Sequence, residues 1–378
     1  MNTLLTINHQ ELLLNRFPIS NDKNLQAWDS SDEYCLQHIA SLALNKDSNI
    51  LIINDSFGTL ACALNEYNLF WQSDSYISQC AVKQNLLDNQ LAPNISYLDS
   101  LTLAPSTIDL VIIKLPKSTA MLEQQLKMLH ASLTPNAIVI GLAKAKDVHN
   151  SGLALFEKHI GTTTTSLAKK KSRLIFAATN NLQAEPSKSF TPQSLTWPLQ
   201  YHDFTITNYA GVFANNKLDI GAQLMLENIP DNLNDGFAID LGCGNGVLGL
   251  SVAAKNPNAT VRFTDESFMA IASAKLNAER NLSDASRCQF DWHDCLSGYD
   301  YDQADLIVCN PPFHQLATVT DHIAWQMFND AYRTLKHGGK FRIVGNRHLG
   351  YHIKLQRIFD NCVTIASNQK FVILESTK

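Results

Sequence analysis

Apolar residues in this chain gather into short uninterrupted runs, divided by longer stretches of helical spacing. In the second half Phe237-Ala-Ile-Asp-Leu241, Asp305-Leu-Ile-Val-Cys309 and Phe341-Arg-Ile-Val344 read as buried strands. In the first half Ile50-Leu-Ile-Ile53, Asp109-Leu-Val-Ile-Ile113 and Ala137-Ile-Val-Ile-Gly141 read the same way. Strands that alternate with helices in this manner form a parallel sheet covered on both faces. Right-handed crossovers then make each half an α/β, doubly wound domain. A β-rich segment from Tyr201 to Phe213 and a helix over Ile220–Glu227 precede the second set of strands. A hairpin of Cys362–Ala366 and Phe371–Leu374, turning through Ser367–Lys370, follows it.

The two halves repeat each other in order. Ile50 to Ala61 has the strand-loop-helix outline of Phe237 to Leu250, and Trp71-Gln-Ser-Asp-Ser-Tyr76 answers Phe263-Thr-Asp-Glu-Ser-Phe268. Ile108–Lys114 answers Ala304–Asn310, and Leu133–Gly141 answers Leu335–Val344. The offset drifts only from 188, between Gly58 and Gly246, to 202, between Leu133 and Leu335. An ordered set of this kind means duplication of a whole domain. The polar, proline-bearing stretch from Asn180 to Pro192 reads as the connection. The expected division is a first domain over 1–179, a linker over 180–196 and a second domain over 197–378.

Composition narrows the classes. Hydrophobic residues at 45% and charged residues at 17% describe a folded chain. A formal net charge of -5 argues against charge-driven, non-specific binding to nucleic acid and leaves room only for a local basic face. The 8 cysteines form no C-x-x-C pair and no zinc-finger spacing, so free thiols in a reducing compartment and no metal site are expected. No basic leader with an apolar core opens the chain, and no run approaches membrane-spanning length; the expectation is a cytoplasmic protein without a membrane partner.

The chemistry-bearing residues lie in the second half. Gly242, Gly244 and Gly246 turn the chain between strand and helix and open its amides to a ligand. Gly244-Asn-Gly246-Val-Leu-Gly249 with Asp265 also fits a dinucleotide fingerprint, so the loop alone leaves NAD in contention. Asp240, two residues before the first glycine, suits the cationic end of S-adenosyl-L-methionine and would repel a pyrophosphate. Asn310-Pro311-Pro312-Phe313 follows the strand ending at Cys309. An exocyclic amine on a nucleobase is a poor nucleophile, its lone pair being delocalised into the ring. The Asn310 side-chain oxygen and the Pro311 carbonyl can each accept one of its hydrogens and aim the lone pair. The prolines stiffen the loop, and Phe313 offers a face for stacking a base.

These motifs resemble the class I methyltransferases of the N-P-P-[FYW] group. More narrowly, Gly211-Val-Phe213, Leu218-Asp-Ile-Gly-Ala-Gln-Leu224, Asp240 to Gly246, Asn310-Pro-Pro-Phe-His-Gln315 and Asn346-Arg-His-Leu349 resemble the bacterial ribosomal RNA guanine-N2 methyltransferases. Those proteins carry a degenerate methyltransferase-like N-terminal domain, so the resemblance spans nearly the whole chain. It implies tandem class I domains and methyl transfer from S-adenosyl-L-methionine to guanine N2. The implied substrate is 23S rRNA, protein-free or in an early assembly intermediate; a sister enzyme acts on 16S rRNA. It further implies that Asp240, Gly242, Gly244 and Gly246 cradle the methionine part of the cofactor, with Asn310 bordering it. Asp265 would accept from the ribose, and Asp294 would face the adenine amine; a solvated loop acid is the other reading of Asp294. Protein-glutamine methyltransferases of the release-factor type share N-P-P-x but have an all-helical N-terminal domain.

In the first copy the same positions have decayed. Ile52, Asn54 and Ser56 stand at Asp240, Gly242 and Gly244, Ser73 stands at Asp265, and Lys114 to Lys117 stand at Asn310 to Phe313. That half is expected to bind no cofactor. Lys114, Lys117, Lys169, Lys170, Lys171 and Arg173 are its candidates for RNA phosphate contacts, the last four being equally readable as a solvated hairpin turn.

Overall fold

The apolar runs become the inner strands of two seven-stranded sheets that share one strand order. The computed structural model describes residues 3–19, 25–105, 107–179, 192, 194–199, 202–212, 218–312 and 317–378. Contacts divide the chain into two units, Met1–Gln193 and Ser194–Lys378. The first unit holds β1 (Leu4–Ile7), β2 (Gln10–Leu13), α1 (Ser30–Ile39), β3 (Asn49–Ile53), α2 (Thr59–Ala63), β4 (Asn68–Gln72) and α3 (Tyr76–Asp88). It continues with β5 (Ile95–Leu98), β6 (Ile108–Lys114), α4 (Thr119–Leu129), β7 (Leu133–Lys144), α5 (Asn150–His159), β8 (Thr163–Thr165) and β9 (Ser172–Ala177). Its sheet runs β5-β4-β3-β6-β7-β9-β8, with β9 antiparallel to both neighbours. This unit is α/β rather than all-helical, unlike the release-factor type.

The second unit holds β10 (Ser194–Leu199), β11 (Phe204–Tyr209), α6 (Ile220–Glu227), β12 (Phe237–Leu241), α7 (Val247–Lys255), β13 (Thr260–Asp265) and α8 (Phe268–Asn281). It continues with β14 (Cys288–Trp292), β15 (Ala304–Cys309), α9 (Ala317–Thr334), β16 (Leu335–Asn346), α10 (Tyr351–Phe359), β17 (Val363–Ser367) and β18 (Phe371–Thr377). The sheet runs β14-β13-β12-β15-β16-β18-β17, with β18 antiparallel to β16 and β17. Strand order reverses between β12 and β15, whose carboxyl ends diverge into the crevice where doubly wound sheets take ligands. Most of the expected linker lies outside the described residues, and β10 already begins at Ser194, inside it.

Side-chain alternation splits the second core in two. Leu306 and Val308 pack with α6 and α7, whereas Ile307 and Cys309 pack with Phe328 of α9 and Tyr351 of α10. Each unit also opens with a hairpin, β1–β2 or β10–β11. Asn85 of α3 and Asn277 of α8 tie it down in the same way. Asn85 bonds the backbone N–H and C=O of Asn15 and the carbonyl of Phe57; Asn277 bonds those of Thr207 and the carbonyl of Asn245.

Candidate active site

At the end of β12 the chain turns through Gly242, Gly244 and Gly246, all at φ between +54° and +82°. These angles strain any side chain, but the glycines differ in what surrounds them. A Cβ on Gly246 would stand 2.9 Å from the Ala274 Cβ of α8, so this glycine lets helix and loop meet. A Cβ on Gly244 would meet no atom of the described residues within 4 Å. Space is left over that one peptide, as a ligand lying against loop amides requires.

Two acids, Asp240 and Asp265, brace the loop and a third, Asp294, follows β14. Asp265, ending β13, accepts the Gly244 N–H (2.9 Å) and the Ser267 N–H (2.9 Å), which sets its carboxylate beside the open glycine. Asp294 is only 5% exposed and accepts from Gln326 Nε2 of α9 (3.0 Å), which excludes the solvated-loop reading. Asp240 is 1% exposed, and its Oδ2 accepts the Gly249 N–H at 2.7 Å. Burial pushes its carboxyl up to about 7; the Gly249 N–H opposes the shift and the charge on Asp265 adds to it. Its described bond braces the loop against α7, where the sequence led us to expect a carboxylate facing the ligand.

Asn310 stands just past β15. Its Nδ2 donates to Asp219 Oδ2 (3.4 Å), and Asp219 in turn caps α6 by accepting from the Gly221 (3.0 Å) and Ala222 (3.1 Å) amides. A carboxylate only accepts, so the amide nitrogen is fixed toward Asp219 and Oδ1 turns away. That oxygen is buried and has no hydrogen-bond partner among the described residues. Leaving a buried acceptor unpaired costs about 1–3 kcal/mol, and the position is that of an acceptor kept for an incoming N–H. Pro311 is buried beside it and Pro312 is exposed. Phe313 and Phe213 lie outside the described residues, while Val212 is buried. Among the described residues no three His, Cys, Asp or Glu side chains are grouped to hold a metal.

Comparison with known proteins bears on this geometry. Residues 2–181 match the family described as the RLMG N-terminal domain, and residues 203–375 match the methyltransferase small domain. The "Ribosomal RNA large subunit methyltransferase G" of Klebsiella pneumoniae (strain 342) is 51% identical over 98% of this chain and 97% of its own. The protein of the same name from Aeromonas salmonicida (strain A449) is 50% identical over 100% of both chains. This chain belongs to the ribosomal RNA large subunit methyltransferase G family. A solved T. thermophilus 16S rRNA N2 methyltransferase, in complex with AdoMet and guanosine, is 18% identical and covers 100% of this chain and 97% of its own at a TM-score of 0.76, which shows the shared fold. Both units are thus class I methyltransferase-like domains, the first of them degenerate.

Within that family fold the first unit records how a site is lost. Gly58 keeps glycine at φ +77° because a Cβ there would lie 2.7 Å from Val82 of α3. Asn54 replaces Gly242 and holds the same left-handed backbone at φ +64°. Ser56 replaces the open Gly244, and Ser73 replaces Asp265 while still accepting from the Ser75 N–H (3.1 Å). The glycine packed against α3 stays, while the one facing open space and the ligand-facing charge go.

Lys114, read from the sequence as a phosphate contact, is corrected by the structure. Its ammonium is bound to both oxygens of Asp32, at 2.6 and 2.8 Å, and Asp32 is fully buried in α1. Burial works against the cation, yet Asp32, Asp29 and Asp55 hold it above its ordinary value. Asn54 Nδ2 meanwhile donates to the Lys114 carbonyl (2.8 Å) and pairs with Gln125, filling the former site with its own polar groups. The remaining candidates are on the surface. Lys170 and Lys171 occupy a two-residue turn at φ +47° and +62°, closed by paired Lys169–Ser172 backbone bonds of 2.9 Å. Lys169 bonds Gln37 (2.7 Å) and Lys170 bonds Glu33 (2.8 Å), while Lys117 is exposed and Arg173 half-buried. The Ala145 N–H donates to Lys171 O (2.8 Å), which brings exposed Lys144 and Lys146 alongside. Neither of these lysines, nor Asp219, was singled out from the sequence.

Proposed function

We propose that the chain transfers a methyl group from S-adenosyl-L-methionine to the exocyclic N2 of a guanine in 23S rRNA, with protein-free rRNA as substrate. The observation that carries this reading is the buried Asn310 Oδ1, without a partner among the described residues and turned away from Asp219 by the bond of its Nδ2. Relatives covering the whole chain bear the name of large-subunit rRNA methyltransferases, which supports the choice of RNA.

The bound cofactor supplies an electrophilic methyl group on a sulfonium. The chain holds it with the open Gly244 amide region, Gly242 and Gly246 shaping the turn, and with Asp265 and Asp294 as acceptors for its hydroxyl and amine hydrogens. Asp240 contributes by keeping the loop in shape. Asn310 Oδ1 and the Pro311 carbonyl accept the two N2 hydrogens and leave the lone pair facing the methyl group; Phe313 supplies the stacking face. Positioning provides most of the rate, and no strong base is needed because the nitrogen becomes acidic only once methylated, when water can take its proton. Lys117, Lys169, Lys170, Lys171 and Arg173 of the first unit contact phosphate.

Asn310→Ala is expected to reduce transfer at least about 100-fold while cofactor affinity stays within about twofold of wild type. Single-turnover rates on rRNA and calorimetric titration of cofactor test the two halves of this statement. Near-normal turnover would remove Asn310 from the reaction.

A further inference from the structure

Asn346 ends β16, one strand over from Asn310. Parallel pairing places Val308 beside Arg342 and Cys309 beside Ile343, so Asn310 falls level with Val344 and Asn346 two residues beyond. With side chains alternating along each strand, Val308, Asn310, Val344 and Asn346 project to one face. It is the face covered by α6, since Val308 and Val344 share a core with Ala222 and Met225. Strand spacing puts the two asparagine Cα atoms about 8 Å apart. Phe371, which pairs with Asn346 across β18, lies 3.1 Å from where a Gly221 Cβ would stand, two residues from the cap Asp219.

Asn346 has the position of a helix cap and does not act as one. It precedes the 3-10 turn Arg347–Leu349, where an asparagine oxygen ordinarily accepts a backbone amide, yet its side chain makes no capping bond. Its Oδ1 is instead buried without a partner among the described residues, the same condition as Asn310 Oδ1. The first unit supplies a natural control. Lys144 precedes the turn Ala145–Asp147 with φ −62° and ψ 141°, against −65° and 136° at Asn346. The backbone survived in that copy while both asparagines became lysines, Lys114 and Lys144, alongside the loss of the cofactor-facing residues.

We infer that Asn346 reads the target base: its Oδ1 accepts the N1–H of guanine and its Nδ2 donates to O6, while Asn310 holds N2. The inference rests on the proposed N2 transfer. A primary amide presents one acceptor and one donor side by side, the complement of the O6 and N1–H groups next to the amine. Enzymes that draw a base out of the stack read this edge. Adenine carries no amine at C2, so it would leave Asn310 nothing to hold, and Asn346 could meet its opposite order only with the amide turned over.

The test uses full-length large-subunit rRNA, joined by splinted ligation, with guanine or 2-aminopurine at the methylated position after mass mapping has located it. 2-Aminopurine keeps the amine and lacks both O6 and the N1 hydrogen. Wild type should methylate guanine about 10- to 100-fold faster than 2-aminopurine. Asn346→Ala should slow guanine by that factor and leave the 2-aminopurine rate and the cofactor affinity unchanged, so that the preference collapses. Asn346→Asp, which keeps the acceptor and loses the donor, should fall between. Equal slowing on both bases would make Asn346 a structural residue. A wild type without preference, or an undiminished preference in Asn346→Ala, would place base reading elsewhere; each of these outcomes overturns the inference. Absence of N2-methylguanine from the wild-type reaction on guanine would instead refute the transfer on which it rests.

Discussion

Asp240 keeps its proton longer in the folded chain than in the unfolded one, because burial raises its carboxyl from 3.8 to about 7. Between these values the folded state binds more protons, so stability is fullest in acid and falls as the pH rises through the window. Asp240→Asn removes the titrating group and leaves an oxygen for the Gly249 N–H. Melting temperatures of the two proteins should therefore converge at about pH 4 and diverge in favour of the variant toward about pH 8. A gap that ignores pH would assign the dependence to another group. Asp219 acts on the same site through Asn310. Asp219→Asn retains a cap for α6 but can present an amide nitrogen to Asn310, which frees that side chain to turn over. Transfer should slow about 10- to 100-fold at constant cofactor affinity, with thermal stability reduced by no more than about 1 kcal/mol. Loss of both functions in proportion to folding would reduce Asp219 to a helix cap.

At the scale of elements, the glycines of the β12–α7 turn separate folding from binding. Gly246→Ala forces a Cβ to 2.9 Å from that of Ala274 and should cost stability, whereas Gly244→Ala meets open space and strains only its φ of +54°. The expected cost at Gly244 is about 1 kcal/mol, with a much larger loss of cofactor affinity; chemical denaturation and calorimetry on both variants check the contrast. The strands of both sheets were readable because buried parallel strands are nearly continuous apolar runs. The shared order followed from the repeat. The hairpin β1–β2 was not readable: its strands have four residues each, and its turn uses Asn8 and His9 at φ +48° and +68° with no glycine to mark it. In the site, Asp240, Asp265 and Asn310 were findable from local spacing. The partnerships that decide their roles are not local, since Asp219 meets Asn310 across 91 positions and Asp32 meets Lys114 across 82. A lysine in sequence reads as surface charge until the chain that folds beneath it is known.

For the whole molecule, one cofactor per chain is expected, because the first unit has Asn54, Gln125, Lys114 and Asp32 where the second has an open glycine. A calorimetric stoichiometry of two would contradict this. A chain with net charge -5 also needs its cations gathered if it is to hold RNA. The exposed pairs of Lys169 and Lys170 are worth no more than about 1 kcal/mol, so phosphate can displace them. Replacing Lys169, Lys170, Lys171 and Arg173 with neutral residues should weaken rRNA binding and flatten its dependence on salt by about one unit of slope per lost contact. Filter binding across a salt series reads both quantities, and an unchanged slope would assign RNA contact to other residues.

The ion pair inside the first unit also bears on whether its decay can be reversed. Restoring asparagine at Lys114 alone would strand Asp32, which is fully buried, whereas neutralising Asp32 alone leaves the ammonium beside Asp29 and Asp55. The first of these half-steps costs about 3–5 kcal/mol, a large fraction of what holds a domain together. Neutralising Asp32 first avoids most of that penalty, and a double-mutant cycle at the two positions should show the doubly substituted chain more stable than the one changed at Lys114 alone. Between the degenerate copy and a working one the order of changes therefore matters, because the route that begins at Lys114 crosses an unstable sequence.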